Sequence, residues 1–330
     1  MPSESATGSS DAAMAAKPQQ FGFLLLPQYS MMALSSATEP LRSANYISGK
    51  PLYEWHLLTP GTGNTASSSL FEINAQTPLA DAPPLDMLFV VASLGVVDYF
   101  DEAVFDWLRQ FAASGKPVGG ISLGTLILAR AGLLKEHYCT IHWDSLRAFA
   151  LEFPQIDLRR DLYCIDRGRL TCGGGTSGMD MMLDLIARVH GKKFAIDVAD
   201  QFLYTRLRTS TEGQKMSVQW RYGIDDRRLV KALTLMEQNI ETPIAMHVVA
   251  SLVGVSSRQF ERLWVQNFDE SPSRFYMTLR LKAAQKLLQE STYSLHEVAM
   301  QCGFATPSHL GRFYRQLFGH TPGQERKGRH

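Results

Sequence analysis

Two hydrophobic rhythms alternate over residues 21–200. A continuous apolar run of strand length occurs at Phe21–Pro27 (FGFLLLP), and Tyr53–Leu58, Met87–Ala92 (MLFVVA) and Pro117–Ser122 (PVGGIS) also read as strands. Between them lie stretches of helical period, as in Ser30–Ser48, where Met31, Leu34, Thr38, Leu41 and Asn45 stand one helical turn apart. Similar patterns predict helices over Phe100–Ser114, Gly124–Leu134, Asp144–Glu152, Thr176–His190 and Phe194–Arg208, with one more short strand at Thr140–Trp143 (TIHW). Strands alternating with helices predict an α/β fold, a parallel sheet covered on both faces with its ligand site in the turns after the strands. Thr209–Asp226 is polar and without period, which predicts a linker. From Arg227 onward the strand signals vanish and every segment reads as helix. The expected organisation is a disordered tail over 1–20, an α/β domain over 21–208, a linker over 209–226 and an all-α domain over 227–330.

The all-α part repeats itself. VVASLVGVSSRQFERLWVQNFDESP ends at Pro272, and EVAMQCGFATPSHLGRFYRQLFGHTP ends at Pro322. Phe260, Arg262, Phe268 and Pro272 return as Leu310, Arg312, Phe318 and Pro322 at an offset of 50, whereas Ala250 and Gly254 return as Ala299 and Gly303 at 49. The turn of the second copy is therefore one residue longer. In each copy a short apolar helix stops at a glycine, the residue that tolerates the left-handed conformation of a turn. A helix-capping residue follows, Ser256 in the first copy and Thr306, after Ala305, in the second. The next helix buries Phe260, Leu263 and Trp264, or Leu310, Phe313 and Tyr314. This is the plan of a helix-turn-helix, whose second helix enters the DNA major groove and reads base edges from its N-terminal half. The residues placed to do so are Ser256, Ser257, Arg258, Glu261 and Arg262, then Thr306, Ser308, His309 and Arg312. A helix over Ser273–Gln289 is expected to join the copies. A plain helical bundle with solvated arginines accounts for one copy but poorly for two.

Charge agrees with this division. The formal net charge of +1 conceals 15 Lys and Arg against 10 Asp and Glu from Arg221 onward, a local excess of +5 that leaves −4 for the remainder. A basic third joined to an acidic remainder suits a module that binds a polyanion. The four cysteines form no C-x-x-C pair, so neither zinc nor a disulfide framework is expected, and reduced thiols in a cytoplasm are the default. The longest apolar run falls short of a membrane span, and the start of the chain lacks the pattern of a signal peptide.

Candidate chemistry in the α/β part centres on GGISLGT, Gly119–Thr125. A strand, a sharp turn at Ser122 and a helix form a nucleophile elbow, which holds one side chain facing a helix N-terminus. His142 and Trp143 follow 20 residues later, and a histidine there can serve as base.

These features carry two resemblances. The region from about Pro243 to Arg326, with CGF…SH…FYR…FG…TP in its second copy, resembles the AraC/XylS family of transcription activators. That resemblance implies that the joining helix sets both units into successive major grooves on one face of double-stranded DNA, with RNA polymerase as a further partner. Pro307 stands where the family often has a polar residue. Together with Gly311 on the same face, it makes the first unit the expected carrier of most sequence selectivity. The elbow, the opening FGFLLLPQYSMMALSSATEPLRSAN and LTCGGGTSGMDMMLDLI at Leu170–Ile186 resemble the flavodoxin-like, class I glutamine-amidotransferase-like fold of the PfpI group. Joined to an AraC-type tail, this arrangement resembles the GlxA-type regulators. Enzymes of the fold place a cysteine at the elbow and an acid in the loop after the first strand. Here the elbow has Ser122, and the loop PQYSMMALSS has no acid.

The resemblance therefore implies a ligand-sensing pocket, with Glu39, Ser93, Leu94, Ser122, Leu123, His142, Trp143 and Thr176 as its candidates. The opening segment most resembles the regulators of quaternary-amine and amino-acid catabolism, those for glycine betaine, carnitine and arginine. A quaternary ammonium favours aromatic faces and a carboxylate favours helix N-termini, which Trp143 and the start of the elbow helix supply. The expectation is a homodimeric, cytoplasmic transcription activator of catabolic genes, with a small-molecule effector and no membrane, metal or cofactor. Two alternatives stand beside it. One is a PfpI-like amidase or hydrolase with Ser122 as nucleophile. The other is a scaffold that binds protein through its helices.

Overall fold

The computed structural model describes residues 17–73, 77–93 and 95–327. The tail expected over 1–20 lies outside the described residues as far as residue 16. The first strand already begins at Gln19, so the last two residues of the expected tail belong to it.

Strands β1 (Gln19–Leu25), β2 (Tyr53–Thr59), β3 (Thr77–Pro78), β4 (Met87–Ala92) and β5 (Val118–Ser122) alternate with helices α1 (Met31–Ser48), α2 (Glu102–Ala113) and α3 (Gly124–Arg130). A small pair, β6 (Tyr138–Cys139) and β7 (Asp157–Leu158), brackets α4 (Leu146–Glu152). The hairpin β8 (Tyr163–Asp166) and β9 (Arg169–Cys172) precedes α5 (Ser177–His190) and α6 (Lys192–Asp200). The main sheet has seven strands in the order β3-β2-β1-β4-β5-β9-β8, parallel except for β8, which runs antiparallel to β9. The sequence pattern predicted a parallel sheet and missed this hairpin. Its strands are four residues each, too short to declare a period.

Alternate residues of β1 face opposite layers. Phe21, Phe23 and Leu25 pack with α1, α5 and α6, while Leu24, and Leu26 just beyond the strand, pack with α2 and α3. Burial on both faces explains the unbroken apolar run. Two expectations need correction. Thr140–Trp143 is irregular, because the strand is Tyr138–Cys139, just upstream. The helix expected over Phe194–Arg208 stops at Asp200 and turns back through Leu203, whose φ is +55°. Helix α3 is also shorter than expected and ends at Arg130.

Helices α7 (Val218–Tyr222), α8 (Arg227–Gln238), α9 (Met246–Leu252), α10 (Ser257–Val265), α11 (Pro272–Glu290), α12 (Leu295–Gln301), α13 (Pro307–Phe318) and α14 (Pro322–Lys327) build the C-terminal part. Its own core gathers Leu229, Leu233, Met236, Phe260, Trp264, Leu287, Leu288, Leu310 and Tyr314. Ala148, on α4 of the α/β part, is buried in the same cluster, so the two parts pack together there. The segment read as a linker is not loose. The Leu162 amide donates to the Ser210 carbonyl at 2.8 Å, Gly213 pairs with Asp161, and residues 218–222 are helical.

Candidate ligand pocket and nucleic-acid interface

Ser122 ends β5 with φ +58°, a left-handed conformation that costs an L-residue about 1–2 kcal/mol. Three glycines make the turn possible. A Cβ on Gly120 would strike the Thr125 amide, one on Gly124 the Val90 carbonyl, and one on Gly174 the Ser122 side chain. The register of β4 and β5 sets Ala92 beside Ser122, so Ser93 leaves the sheet next to the elbow, and the Leu123 amide donates to the Ala92 carbonyl at 3.1 Å. Leu94 lies outside the described residues. Thr125 Oγ1 donates to the Thr140 carbonyl at 2.9 Å and so ties the segment carrying His142 and Trp143 to the elbow helix.

The other sequence-predicted pocket residues are placed less uniformly. Thr176 caps α5, but its hydroxyl accepts from Arg208 Nη2 at 2.6 Å, and Arg208 also pairs with the fully buried Asp180 carboxylate at 2.6 Å. Tyr204 donates to the same carboxylate at 2.8 Å. Burial raises the pKa of Asp180, and its bonds to Arg208 and Tyr204 oppose that shift. Glu39 stands apart from the group. Its carboxylate pairs with Arg42 at 2.7 Å on the outer face of α1, with 42% of the side chain exposed, so it is committed to a surface ion pair. Leu123 is buried toward the junction of the two parts. There it lines a cavity of about 10 Å³, the space of roughly one water, together with Ile141, Ser145, Ala148 and Glu290.

The chemistry open to the elbow is limited. No side chain among the described residues hydrogen-bonds to Ser122 Oγ. His142 Nδ1 faces the Asp144 amide at 3.4 Å, and burial lowers the pKa of the ring. Cys172, on the neighbouring strand, is wholly buried, and burial raises the pKa of its thiol. A serine hydroxyl needs a base within reach and a group to orient that base. Among the described residues no hydrogen bond joins Ser122 Oγ to His142, and the bond at His142 Nδ1 comes from the Asp144 amide.

In the C-terminal part, α9 and α10 are joined by residues 253–256 and α12 and α13 by residues 302–306, so the second turn is one residue longer. Gly254 and Gly303 have φ of +82° and +69°. Ser256 accepts from the Gln259 amide at 3.3 Å in a full capping box, and Thr306 accepts from the His309 amide at 3.1 Å. Pro307 occupies the first turn of α13, where its fixed φ suits a helix and its missing N–H costs nothing. Ser257, Arg258, Glu261 and Arg262 are exposed on α10, as are Ser308 and Arg312 on α13. His309 is half-buried between Phe304 and Phe313, at ring distances of 5.7 and 5.1 Å. Arg258, Arg262 and Arg312 make no ion pair among the described residues, although Arg312 lies over Phe313 at 4.7 Å.

Residues 249–328 match the family described as a helix-turn-helix domain. The regulator CdhR of Pseudomonas aeruginosa is 39% identical over 93% of this chain and 91% of its own length. GlxA of Rhizobium meliloti is 36% identical over 94% and 96%. The chain belongs to the family of HTH-type transcriptional regulators that includes CdhR and GlxA. The regulator's α/β part is similar to a solved AraC family transcriptional regulator from Pseudomonas putida, with 27% identity, a TM-score of 0.51, and coverage of 56% of this chain and all of that one. A ThiJ/PfpI family protein from Pseudomonas syringae shares the fold, with 19% identity, a TM-score of 0.52, and coverage of 66% and 87%. An isonitrile hydratase of Pseudomonas putida is 30% identical over 52% of the chain and 72% of its own length, so a related sequence serves an enzyme.

Sequence reasoning missed several of the regulator's residues. Arg315, exposed on α13, lies one turn beyond Gly311 and Arg312, and the period of that helix was enough to find it. Arg280, 9% exposed, donates from Nε to the Cys302 carbonyl at 2.9 Å and from Nη2 to the Gly303 carbonyl, bracing the second turn. At the junction, Lys286 pairs with Asp144 at 2.6 Å and with Glu290 at 2.7 Å, Ser145 donates to Glu290 at 3.1 Å, and Arg147 donates to the Gln301 carbonyl. Apart from Lys286 and Glu290, which are four residues apart on α11, these partners are distant in sequence, and no local signal announces them.

Proposed function

We propose that the regulator binds promoter DNA through α10 and α13, and that its α/β domain senses a small metabolite near Ser122, His142 and Trp143. The observation that carries the sensing reading is an elbow kept in strained geometry with no hydrogen bond from Ser122 Oγ to His142 among the described residues. On this reading Arg258, Glu261 and Arg262 read bases in the first unit, and Ser308, His309 and Arg312 in the second. Ser256, Ser257 and Thr306 stand at the helix starts nearest the phosphates. The effector class suggested by the resemblance is an amine or amino acid. Its binding shifts the balance between two arrangements of the reading units. A homodimer formed through the α/β domain, activation through RNA polymerase, control of catabolic genes and a cytoplasmic setting complete the proposal. No helix among the described residues is long and apolar enough to cross a membrane.

A thermal-shift screen of the full chain against amines, betaines and amino acids tests the sensor, because a ligand that binds the folded state raises Tm with concentration. A flat response across all classes overturns it. The strained Ser122 and the hydratase relative favour a second reading, hydrolysis or hydration with Ser122 as nucleophile. Turnover abolished by Ser122→Ala would establish that reading in place of the first.

A further inference from the structure

The segment from Thr209 to Ser217 behaves as a strap laid across the sensor. Gln214 Nε2 donates to Thr140 Oγ1 at 2.9 Å, to the Ile141 carbonyl at 2.9 Å and to the Asp161 carbonyl at 2.8 Å. Its Oε1 is buried without a partner and lies against Gly173, where a Cβ would collide with it. Gly174, the next residue, abuts Ser122. The strap is therefore anchored beside the elbow.

The following residue, Lys215, sets its ammonium 4.0 Å from the centroid of the Trp143 ring, and the His142 ring packs on the same indole at 5.3 Å. Lys215 makes no ion pair among the described residues, and burial lowers its pKa. The Trp143 indole, itself 38% exposed, holds an exposed ammonium that has no ion-pair partner within 4.0 Å among the described residues, and this marks the ring face as a seat for cations. Beyond Lys215, the Met216 carbonyl accepts from Arg221 Nε at 3.1 Å. The Arg221 guanidinium grips Glu237 of α8 at 2.7 and 2.8 Å. Tyr222, at the end of α7, packs edge-on against Phe268 of the first reading unit and Phe275 of α11. A continuous set of contacts thus runs from Trp143 to the first unit.

We infer that Lys215 is a built-in occupant of the seat that an effector's organic cation takes on Trp143, so that effector binding evicts Lys215 and releases the strap from the sensor. The inference rests on the reading of the α/β domain as a sensor. Lys215 is tethered next to its seat and competes at high effective concentration, which sets the threshold that a free cation must exceed. Eviction leaves the Gln214 anchor as the remaining hold on the strap. Through α7 it also changes the setting of the unit that carries Arg258 and Arg262.

Deuterium uptake of the 209–217 amides in the full-length protein tests this, with tetramethylammonium chloride as probe. Sodium chloride at equal ionic strength controls for salt, and tert-butanol is the uncharged control of the same shape. In the wild type, tetramethylammonium is expected to speed exchange in the strap several-fold while tert-butanol leaves it unchanged. In Lys215→Met the strap exchanges fast without the probe, and the probe binds at least several-fold more tightly. Lys215→Arg, which restores a cation, returns the strap to slow exchange. Equal protection of the strap in wild type and Lys215→Met, or probe affinity unchanged between them, overturns the inference. If some other ligand raises Tm while tetramethylammonium leaves the strap protected, the Lys215 inference falls and the sensor stands. If nothing raises Tm, the sensor itself falls.

Discussion

In the first helix-turn-helix unit, Trp264 stacks on Phe268 at 4.4 Å and meets Phe275 at 5.2 Å, and these rings hold α10 against α11 by apolar packing. In the second unit the turn itself is pinned. Arg280 takes the Cys302 and Gly303 carbonyls and lies over Phe304 at 4.3 Å, Arg147 takes the Gln301 carbonyl from the sensor side, and Arg326 takes the Tyr293 carbonyl. The difference lies in direction. Aromatic packing holds a helix close and tolerates small sliding, whereas charged hydrogen bonds to carbonyls fix the orientation of a turn. The unit with the richer set of free reading side chains is thus the less rigidly held one. The rigid unit is the one coupled to α4 of the sensor.

The largest effect that would test this contrast is Arg280→Ala. Loss of the guanidinium leaves two turn carbonyls without their partner and is expected to cost about 2–3 kcal/mol in urea unfolding. Lys231→Ala, which removes the exposed bond to the Leu252 carbonyl of the first unit, should cost far less. Equal losses would erase the distinction. Next, Arg262→Ala is expected to weaken DNA binding by about 1–3 kcal/mol and to relax base preference, with a smaller effect for Arg312→Ala. Binding measured on operator variants checks both, and a reversed order would make the pinned unit the principal reader.

Gly311 sharpens the contrast further. Nothing lies within 4 Å of a Cβ built there, so no internal packing requires a glycine in the middle of α13. Gly311→Ala should stabilise the helix by roughly 0.5–1 kcal/mol. A fall in DNA affinity in the same variant would show that the missing side chain makes room for DNA. The smallest effect concerns the His320–Glu325 pair at 2.5 Å, which closes the second unit alone. The bond to Glu325 raises the His320 pKa above 6.5, so this contribution is full below 6.5 and is lost as pH rises through the raised value. The Glu325 carboxyl is held down at about 2, so its share is present above 4.5 and fades only as pH falls toward 2. The thermal stability of wild type should therefore exceed that of His320→Gln near about pH 6 and converge with it near about pH 9.

Local patterns made much of this legible. The strand patterns located β1, β2, β4 and β5 within a residue or two, and β1 and β4 are apolar because they are buried on both faces. The unequal repeat offsets disclosed the longer second turn, and Ser256 and Thr306 disclosed the starts of α10 and α13. What failed was long-range or locally ambiguous. The β8–β9 hairpin is too short to show a period, and the chain reverses at Leu203, a residue whose side chain gives no warning of a left-handed turn. Glu39 reads as a pocket acid in sequence, and the structure shows it paired with Arg42 three residues on. Gln214 and Lys215 sit in polar, aperiodic sequence, and only the folded chain shows where they lie.

At the elbow, chemistry and shape are inherited separately. Ser122 can be exchanged for another nucleophile or for an inert residue by a single substitution that leaves the bend in place. The bend itself depends on Gly120, Gly124 and Gly174 together, because a side chain at any of them meets backbone or the Ser122 side chain. Chemistry at this position is one mutation deep, while the shape around it is several mutations deep. A lineage carrying this turn can therefore gain or shed reactivity quickly and still hand down the same socket, which descendants can put to recognition or to catalysis.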